Sequence, residues 1–440
     1  MSASAHVSLE EDTSPADPLR DREAQVAALT GLRGFAALMV VLVHVSVRTD
    51  YPWLGLPAYG PVMLFVLSGF LLYRPWARWV LRLGRNPDLP VYSRRRVARI
   101  FPAYLVVLFA IAAIYPPARP VGVDGWLYNI TLTWIYVPGQ FPEVLAQTWS
   151  LATELSWYVA LPVMAIVSGV IARRWPPAVA LRIVAALMWL SLPVTIAWWA
   201  WIRANDLSLY FTYSFWLPGY LVCFAGGALI GLYAEAQAAG ITDPSRVRRI
   251  ASDPWALPLF LLAVALLSTS AWGGPDGYVP HSFVQEQVRL AASTLIAIVM
   301  LLMVVFGPTT SPLSRLMSTR VLTASGRWSY SIYLWHLPLL VMLEDKVATP
   351  EAPLADFLFT LTWALGLSIP LSAATYLWVE KPAIDWSRRP MRLLHYRRRE
   401  RGRRIAEPAA ATPKARTSSS TTDHPSDAVS TTRASSAPDV

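Results

Sequence analysis

The feature that most constrains this chain is a series of apolar stretches long enough to cross a lipid bilayer. A transmembrane helix needs about 20 mostly apolar residues, because the hydrocarbon core is about 30 Å thick and a helix rises about 1.5 Å per residue. The predicted helices lie at 30–48, 60–81, 100–117, 148–170, 179–201, 213–234, 255–272, 286–306, 327–344 and 355–379. A shorter apolar piece at 128–137 is predicted to be interfacial or re-entrant. The sequence therefore predicts an all-α fold, a polytopic membrane bundle of about ten transmembrane helices.

The composition agrees with a chain that lies mostly in lipid. Hydrophobic residues make up 55% of the chain and charged residues 15%, whereas a soluble domain has about a quarter charged residues. The one cysteine, Cys223, lies in an apolar stretch, which excludes an intramolecular disulfide and favours burial as a small apolar residue. These properties exclude an ordinary soluble enzyme.

The distribution of arginines predicts the orientation in the membrane. With a cytoplasmic N-terminus, the inner connections carry Arg82, Arg85, Arg94, Arg95, Arg96, Arg99, Arg173, Arg174, Arg182, Arg246, Arg248, Arg249, Arg315 and Arg320. The outer connections carry only Arg48, Arg119, Arg203 and Lys346. Positively charged residues favour the cytoplasmic side, so both termini are predicted to be cytoplasmic and the chain to lie in the inner (cytoplasmic) membrane. The net charge of +10 then indicates contact with membrane lipids, and no nucleic-acid partner is expected.

Three regions are predicted along the chain. Residues 1–27 form a polar, disordered cytoplasmic tail that does not open like a signal peptide, so the first span is expected to remain in the mature protein. Residues 28–386 form the transmembrane domain. Residues 387–440 begin as a basic stretch and continue as a low-complexity cytoplasmic tail, predicted to be disordered.

Ionisable side chains inside the predicted spans are candidates for function, because they are costly in hydrocarbon when unpaired. Arg33 and His44 lie eleven residues apart in the first span, on one helix face and about 16 Å apart along the axis. Counted from the outer helix ends, His44, Ser68 and Glu154 lie at similar depths, about 7–12 Å below the outer surface. We predict His44, Glu154 and Arg33 as catalytic, since a histidine is the usual general base and a carboxylate can orient it. Three of these residues also have a structural alternative. His44 could only satisfy a buried acceptor, Glu154 could be an acid favoured at a helix start, and Ser68 could bond to its own helix backbone.

A basic segment, RRRVARIFPAY, marks the inner entrance of the third predicted span. Such arginines anchor a helix at the cytoplasmic face, and their guanidinium groups also bind phosphates through paired hydrogen bonds. The segment predicts a site for a phosphorylated donor such as a coenzyme A thioester. Its predicted binding residues are Arg94, Arg95, Arg96, Arg99 and Tyr104.

Aromatic and polar residues of two further spans are predicted to bind substrate, together with Ser68. Tyr330, Tyr333 and His336 recur every three residues on one broad face of the ninth span, where they either bind the acceptor or tie helices together. Trp149 begins the fourth span. The sequence has no glycine-rich nucleotide loop and no zinc-protease motif, so no metal site is predicted.

Taken in order, these motifs resemble those of the acyltransferase-3 family of integral-membrane O-acyltransferases, which modify sugars and lipids of bacterial envelopes. The resemblance spans residues 30–386. Its motifs are Arg33-Gly34 with His44 after a gap of ten residues, Phe65-Val66-Leu67-Ser68-Gly69-Phe70, Arg95-Arg96-Val97-Ala98-Arg99-Ile100 with Pro102 and Tyr104, Trp149-Ser150-Leu151 with Glu154, Ser329-Tyr330-Ser331-Ile332-Tyr333-Leu334 with His336-Leu337-Pro338, and Glu380 before Pro382.

The resemblance implies ten core helices, an acyl-CoA donor and a requirement for Arg33 and His44. Two positions depart from the family's pattern, which often has acidic residues where this chain has Thr30 and Val62. Some members also carry a fused extracytoplasmic transfer domain, and none is recognised in this sequence. We therefore expect the helical domain to acylate its acceptor itself or to pass the group to a partner.

The expected function is transfer of an acyl group, acetyl being common in the family, from cytoplasmic acyl-CoA to a hydroxyl of an envelope glycolipid or polysaccharide. His44 is expected to act as general base with Glu154 as its partner, and a covalent acyl-histidine is the variant of this mechanism. The alternative is a transporter or lipid flippase in which His44 and Glu154 relay protons.

Overall fold

The computed structural model describes residues 18–55, 59–276, 279 and 281–390. Residues 1–17 of the predicted N-terminal tail and 391–440 of the predicted C-terminal tail lie outside these ranges. The parts of both predicted tails that are described are mostly helical, since the first helix begins at Pro18 and the last ends at Arg388.

The described residues form α-helices joined by turns and short 3-10 segments, with no strand among them. The helices are α1 (Pro18–Ser46), α2 (Tyr59–Val80), α3 (Leu89–Ile114), α4 (Gly122–Thr131), α5 (Trp149–Ala172), α6 (Pro177–Trp189), α7 (Ser191–Ala204), α8 (Leu221–Ala238), α9 (Ser245–Ala251), α10 (Ala256–Ser268), α11 (Phe283–Phe306), α12 (Pro312–Met317), α13 (Arg320–Lys346), α14 (Pro353–Thr375) and α15 (Lys381–Arg388). The predicted all-α class is confirmed.

Seven helical segments within the described ranges are long and apolar enough to cross a membrane. They are Asp21–Ser46, Leu89–Ile114, Glu143–Ala172, Pro177–Ala204, Leu217–Ala238, Phe283–Phe306 and Pro353–Arg388. The pair α9 and α10 meets the same criteria as one broken span, bent by 62°. The chain is therefore a multi-pass membrane protein.

Two long helices outside that set lie at the centre of the bundle. They are α2, with 22 residues, and α13, with 27 residues. α2 packs along α8, and α13 packs along both α1 and α14. Their position matters because both helices carry predicted site residues, which neighbouring helices then shield from lipid.

Glycines bring these central helices into backbone contact. A Cβ atom on Gly69 of α2 would lie 2.0 Å from the carbonyl oxygen of Phe224, and one on Gly227 of α8 would lie 1.8 Å from that of Val66. A Cβ on Gly326 of α13 would lie 1.9 Å from the carbonyl oxygen of Thr30 in α1. Small residues of this kind let membrane helices approach closely, and here they adjoin the predicted site residues Arg33 and Ser68.

Every predicted span coincides with helical residues, and the differences lie in ends and breaks. The predicted span 179–201 is divided at Leu190 into α6 and α7. α3 begins eleven residues before its predicted start of 100, because the side chain of Asp88 caps it by accepting a hydrogen bond from the backbone N–H of Val91 at 3.1 Å. The basic segment is consequently part of a helix.

Candidate active site

Five helices converge on a cavity of about 120 Å³, which we call the polar chamber. Its polar lining consists of Arg33 of α1, Ser68 of α2, Arg96 and Arg99 of α3, Ser150, Glu154 and Tyr158 of α5, and Ser329, Tyr330 and Tyr333 of α13. Seven of the thirteen predicted site residues thus share one cavity: Arg33, Ser68, Arg96, Arg99, Glu154, Tyr330 and Tyr333. Residues predicted from separate motifs are brought together by the fold.

Glu154 is the carboxylate of the polar chamber. It accepts hydrogen bonds from the hydroxyl of Ser68 and, at 2.8 Å, from the hydroxyl of Tyr158 one helical turn further along α5. Arg33 lies within electrostatic reach of Glu154, Glu380 and Arg99. The chamber therefore combines a partly exposed carboxylate with three guanidinium groups.

His44 lies in the last turn of α1 and contacts a second imidazole, His336 of α13. The distance between His44 Nδ1 and His336 Nε2 is 3.4 Å, and the ring centroids are 5.0 Å apart. His44 Nδ1 also lies 2.8 Å from the carbonyl oxygen of Val40, and His336 Nδ1 lies 3.1 Å from that of Ile332. We call these two residues the histidine pair.

His44 and Glu154 have different partners in the described part of the chain: His44 contacts His336 and the carbonyl oxygen of Val40, and Glu154 accepts from Ser68 and Tyr158, so their direct pairing stays a prediction. The depth estimate took the start of α5 as the outer membrane surface. The preceding 3-10 segment, Glu143–Thr148, instead folds into the bundle, where Gln147 and Thr148 are buried. Glu154 meets Ser68, while His44 meets His336.

Tyr333 stands between the polar chamber and the histidine pair. It lines the chamber, and its ring centroid lies 5.8 Å from that of His336. Its hydroxyl lies 2.8 Å from the hydroxyl of Ser150 and donates a hydrogen bond to the carbonyl oxygen of Gln147. Tyr333 thus contacts both the polar chamber and His336, and its hydroxyl is held by Ser150 and by the carbonyl oxygen of Gln147.

A second cavity, of about 380 Å³, adjoins the polar chamber at the α2–α3 connection. Four arginines line it, Arg78, Arg85, Arg95 and Arg96, and we call it the basic vestibule. It shares Leu71, Leu72 and Arg96 with the chamber, so the two cavities are neighbours. Its end of the bundle is the one that the arginine distribution predicts to be cytoplasmic.

The remaining predicted donor residues lie in different surroundings. Arg99 forms an ion pair at 3.1 Å with the buried carboxylate of Glu380, and Glu380 also accepts a hydrogen bond from Ser331. The guanidinium of Arg94 lies 5.7 Å from the ring centroid of Trp386. Tyr104 is fully buried and donates a hydrogen bond at 2.7 Å to the carbonyl oxygen of Asn129.

Two of the predicted substrate-binding residues also form contacts between elements. Trp149 stacks on Phe215 with centroids 4.8 Å apart, within an aromatic group that includes Phe65 and Tyr220. Tyr330 donates a hydrogen bond at 2.7 Å to the carbonyl oxygen of Ile100, which ties α13 to α3. Tyr330 lines the chamber as well, so a structural contact does not remove it from the site.

Several site residues were not singled out from the sequence. Tyr158 follows Glu154 by four residues, a spacing that places two side chains on one helix face and could have revealed the pair. Arg85 was counted only as a topology signal and Arg78 was not considered, and their place in the vestibule depends on how α2 turns into α3. Ser150 and Gln147 reach Tyr333 through a long-range contact that no local pattern predicts.

Residues 26–376 match a family described as an acyltransferase domain. The chain is 25% identical over 353 residues to the acyltransferase MdmB of Streptomyces mycarofaciens, which covers 72% of this chain and 80% of that protein. It is 23% identical over 375 residues to the O-acetyltransferase OatA of Staphylococcus aureus, covering 80% of this chain and 56% of OatA.

A third relative is the putative peptidoglycan O-acetyltransferase YrhL of Bacillus subtilis, 25% identical over 389 residues, covering 81% of this chain and 54% of YrhL. The chain thus spans about half the length of OatA and YrhL. No solved structure matches it. The family match covers most of the chain, from the first helix that holds Arg33 and His44 to the end of α14. This chain belongs to the acyltransferase-3 family of membrane O-acyltransferases.

Proposed function

We propose that this protein transfers an acyl group, acetyl in the first instance, from cytoplasmic acyl-CoA to a hydroxyl of a cell-envelope polysaccharide or glycolipid. The family membership supports acyl transfer, and two relatives are named O-acetyltransferases, one of them putatively of peptidoglycan. The observation that carries the proposal is the junction of a vestibule lined by four arginines with a polar chamber inside the bundle.

The proposed topology has ten spans. Seven segments meet the criteria for crossing a membrane, the bent pair α9 and α10 adds one, and α2 and α13 are long enough to add two. An even number of spans places both termini on the same side. The arginines of the inner connections favour the cytoplasm for that side, and the inner membrane for the protein.

The donor is proposed to enter through the basic vestibule. Arg78, Arg85 and Arg95 line this cavity alone, and guanidinium groups bind phosphates with forked hydrogen bonds. Arg96 lines both cavities, so it would contact the part of the donor that passes from one to the other. The diphosphate would remain in the vestibule while the thioester enters the chamber, where Arg33 and Arg99 can stabilise a developing oxyanion.

His44 is proposed as the general base on the acceptor side. Its imidazole takes the proton of the acceptor hydroxyl as the oxygen attacks the thioester carbon, which forms a tetrahedral oxyanion. That attack forms the new C–O bond; collapse of the intermediate restores the carbonyl group and breaks the C–S bond, and the departing thiolate takes the proton back from His44. Glu154 acts within the chamber, where it fixes Ser68 and Tyr158 and offsets the charge of Arg33.

The test is transfer of label by the full-length purified protein in detergent. The protein is incubated with radiolabelled acetyl-CoA and envelope material from a strain that lacks the gene, and label in the ester fraction is released with mild alkali. The expected result is alkali-labile label with the wild type and none with His44→Ala of the same thermal stability. A transporter or flippase that relays protons through His44 and Glu154 would give no covalent product, and that outcome would refute the proposal.

The site of donor binding has its own control. Arg95→Gln removes a vestibule guanidinium, whereas Arg320→Gln removes an exposed arginine at the start of α13 that lies outside both cavities. The first substitution is expected to raise the KM for acetyl-CoA and the second to leave it unchanged. An equal change of the KM for acetyl-CoA in both variants would contradict entry of the donor through the basic vestibule.

A further inference from the structure

We propose that His336 is a positioning residue that holds the imidazole of His44 in the tautomer and orientation needed for proton transfer. This inference rests on the proposed function, because it assigns the partner of the proposed base. The sequence pointed to a carboxylate in this position, whereas the structure places a second imidazole there. In effect, the histidine pair replaces the histidine–carboxylate pair that was expected.

The hydrogen bonds of the pair define the tautomers. A carbonyl oxygen only accepts hydrogen bonds, so the 2.8 Å contact between His44 Nδ1 and Val40 requires the proton of a neutral His44 to be on Nδ1. The same argument applies to His336 Nδ1 and the carbonyl oxygen of Ile332 at 3.1 Å. His336 Nε2 therefore has a lone pair, and it lies 3.4 Å from the protonated Nδ1 of His44.

This geometry makes His336 a second acceptor for the Nδ1–H of His44. With Nδ1 protonated, Nε2 is the basic nitrogen of His44 and the one that can take a proton from a hydroxyl. When Nε2 takes that proton, the Nδ1–H becomes more acidic and its bond to His336 strengthens. The 3.4 Å distance is long for a hydrogen bond, as is common for catalytic contacts before substrate binds.

Burial distinguishes the two members of the pair. His336 has 0% exposure, while His44 is partly accessible at the surface of the bundle. Only His44 is therefore placed to contact an acceptor, and His336 acts through its contact with His44. The buried His336 of α13 thus holds the more accessible His44 of α1. A buried partner of this kind keeps a catalytic base rigid without blocking its access to substrate.

The charged neighbours of the pair do not take over this role. Arg48, one turn beyond His44 on α1, donates to the carbonyl oxygen of His44 at 3.1 Å and forms an ion pair with Glu344 of α13 at 2.8 Å. Tyr333 lies against His336 and directs its hydroxyl to Gln147 and Ser150. Glu344, the carboxylate among these neighbours, is thus engaged with Arg48.

The test compares two substitutions of His336 that differ in one hydrogen-bond acceptor. His336→Gln keeps an amide oxygen that can accept from His44, and His336→Leu has a similar size but no acceptor. His281→Gln is the matched control, since His281 lies outside both cavities, where its ring contacts Pro275 and Arg289. Transfer from labelled acetyl-CoA to envelope material is measured for each variant, with the Tm in detergent alongside.

A positioning role predicts a specific pattern. The kcat of His336→Leu is expected to fall by about 10- to 100-fold, the loss of one hydrogen bond to a group that becomes charged, with the KM for acetyl-CoA unchanged. His336→Gln is expected to recover most of that loss at an equal Tm.

Other patterns would overturn the inference. Equal losses for His336→Gln and His336→Leu, or a rise in KM alone, would indicate packing or acceptor binding instead. An unchanged kcat in His336→Leu would remove any role in positioning. A wild-type protein that transfers no label would refute the proposed function itself, so failure of the two proposals can be distinguished.

Discussion

Replacing Gly326 with alanine should separate the two helices that hold the histidine pair. The new Cβ would lie 1.9 Å from the carbonyl oxygen of Thr30 and 2.7 Å from its carbonyl carbon, both backbone atoms that no rotamer change can move. To bring the distance between this Cβ and the carbonyl oxygen of Thr30 to 3.0 Å or more, α1 and α13 must move apart by about 1 Å. Closely packed helices resist such a displacement because each moves as a rigid body. Overpacking of this kind costs about 1–3 kcal/mol of folding free energy.

The same displacement has a functional consequence. His44 and His336 face each other across the same two helices, ten or more residues further along each, at 3.4 Å. A displacement of about 1 Å would leave that hydrogen bond beyond the usual range, and it would also shift Arg33, which lies beside the contact. We therefore expect Gly326→Ala to lower both the Tm in detergent and the kcat for acyl transfer.

Gly366 provides a matched control for this substitution. It lies in α14, and a Cβ there would have open space within 4 Å. Gly366→Ala is expected to keep full activity and to gain up to about 1 kcal/mol from helix propensity. Thermal unfolding followed by size-exclusion chromatography, together with label transfer, measures both variants. Equal Tm and activity of Gly326→Ala and the wild type would refute the reasoning that backbone contact of α1 and α13 sets the site.

Two further substitutions separate donor binding from packing. Arg96→Gln is expected to raise the KM for acetyl-CoA more steeply than Arg95→Gln, because Arg96 lines both cavities, and the wild-type KM is expected to rise with salt as phosphate contacts are screened. Tyr104→Phe is expected to lower the free energy of unfolding by about 1 kcal/mol through loss of its bond to Asn129, with the KM unchanged. A raised KM in Tyr104→Phe, measured by thiol release from acetyl-CoA, would instead support the predicted role of Tyr104 in donor binding.

The helices were predictable because their length and apolarity follow from the thickness of a bilayer. Predicted starts and ends departed from the structure where local capping decides them, as at Asp88, which begins α3 well before its apolar part. The break at Leu190 had no signal in the apolar pattern, since both sides of it are equally apolar. Periodicity thus predicts that a helix exists better than it predicts where the helix ends.

The site residues were predictable as a set, but their pairings were only partly so. Ser68 and Glu154 were expected at one depth and do form a hydrogen bond. Glu380 was recognised as a motif residue, and the structure gives it Arg99 as its partner. His44 was placed with Glu154 because helix depth was counted from the predicted helix ends, whereas the structure buries Gln147 and Thr148 before α5 and gives Glu154 the partners Ser68 and Tyr158. Partners across helices depend on such loop paths, which a single sequence does not determine.

The polar character of α2 and α13 explains why one site can exist inside such an apolar chain. Both helices carry predicted site residues and fall outside the segments that are apolar enough to cross the bilayer alone. Ser68, Tyr333 and His336 could not face lipid without a large cost, so the fold is stable only if other helices enclose them. Glycines at the α1–α13 and α2–α8 contacts permit that enclosure at backbone distance. In α13, Tyr333 and His336 thus lower the apolarity of the helix and also require other helices to enclose it, so that chemistry and architecture there follow from the same side chains.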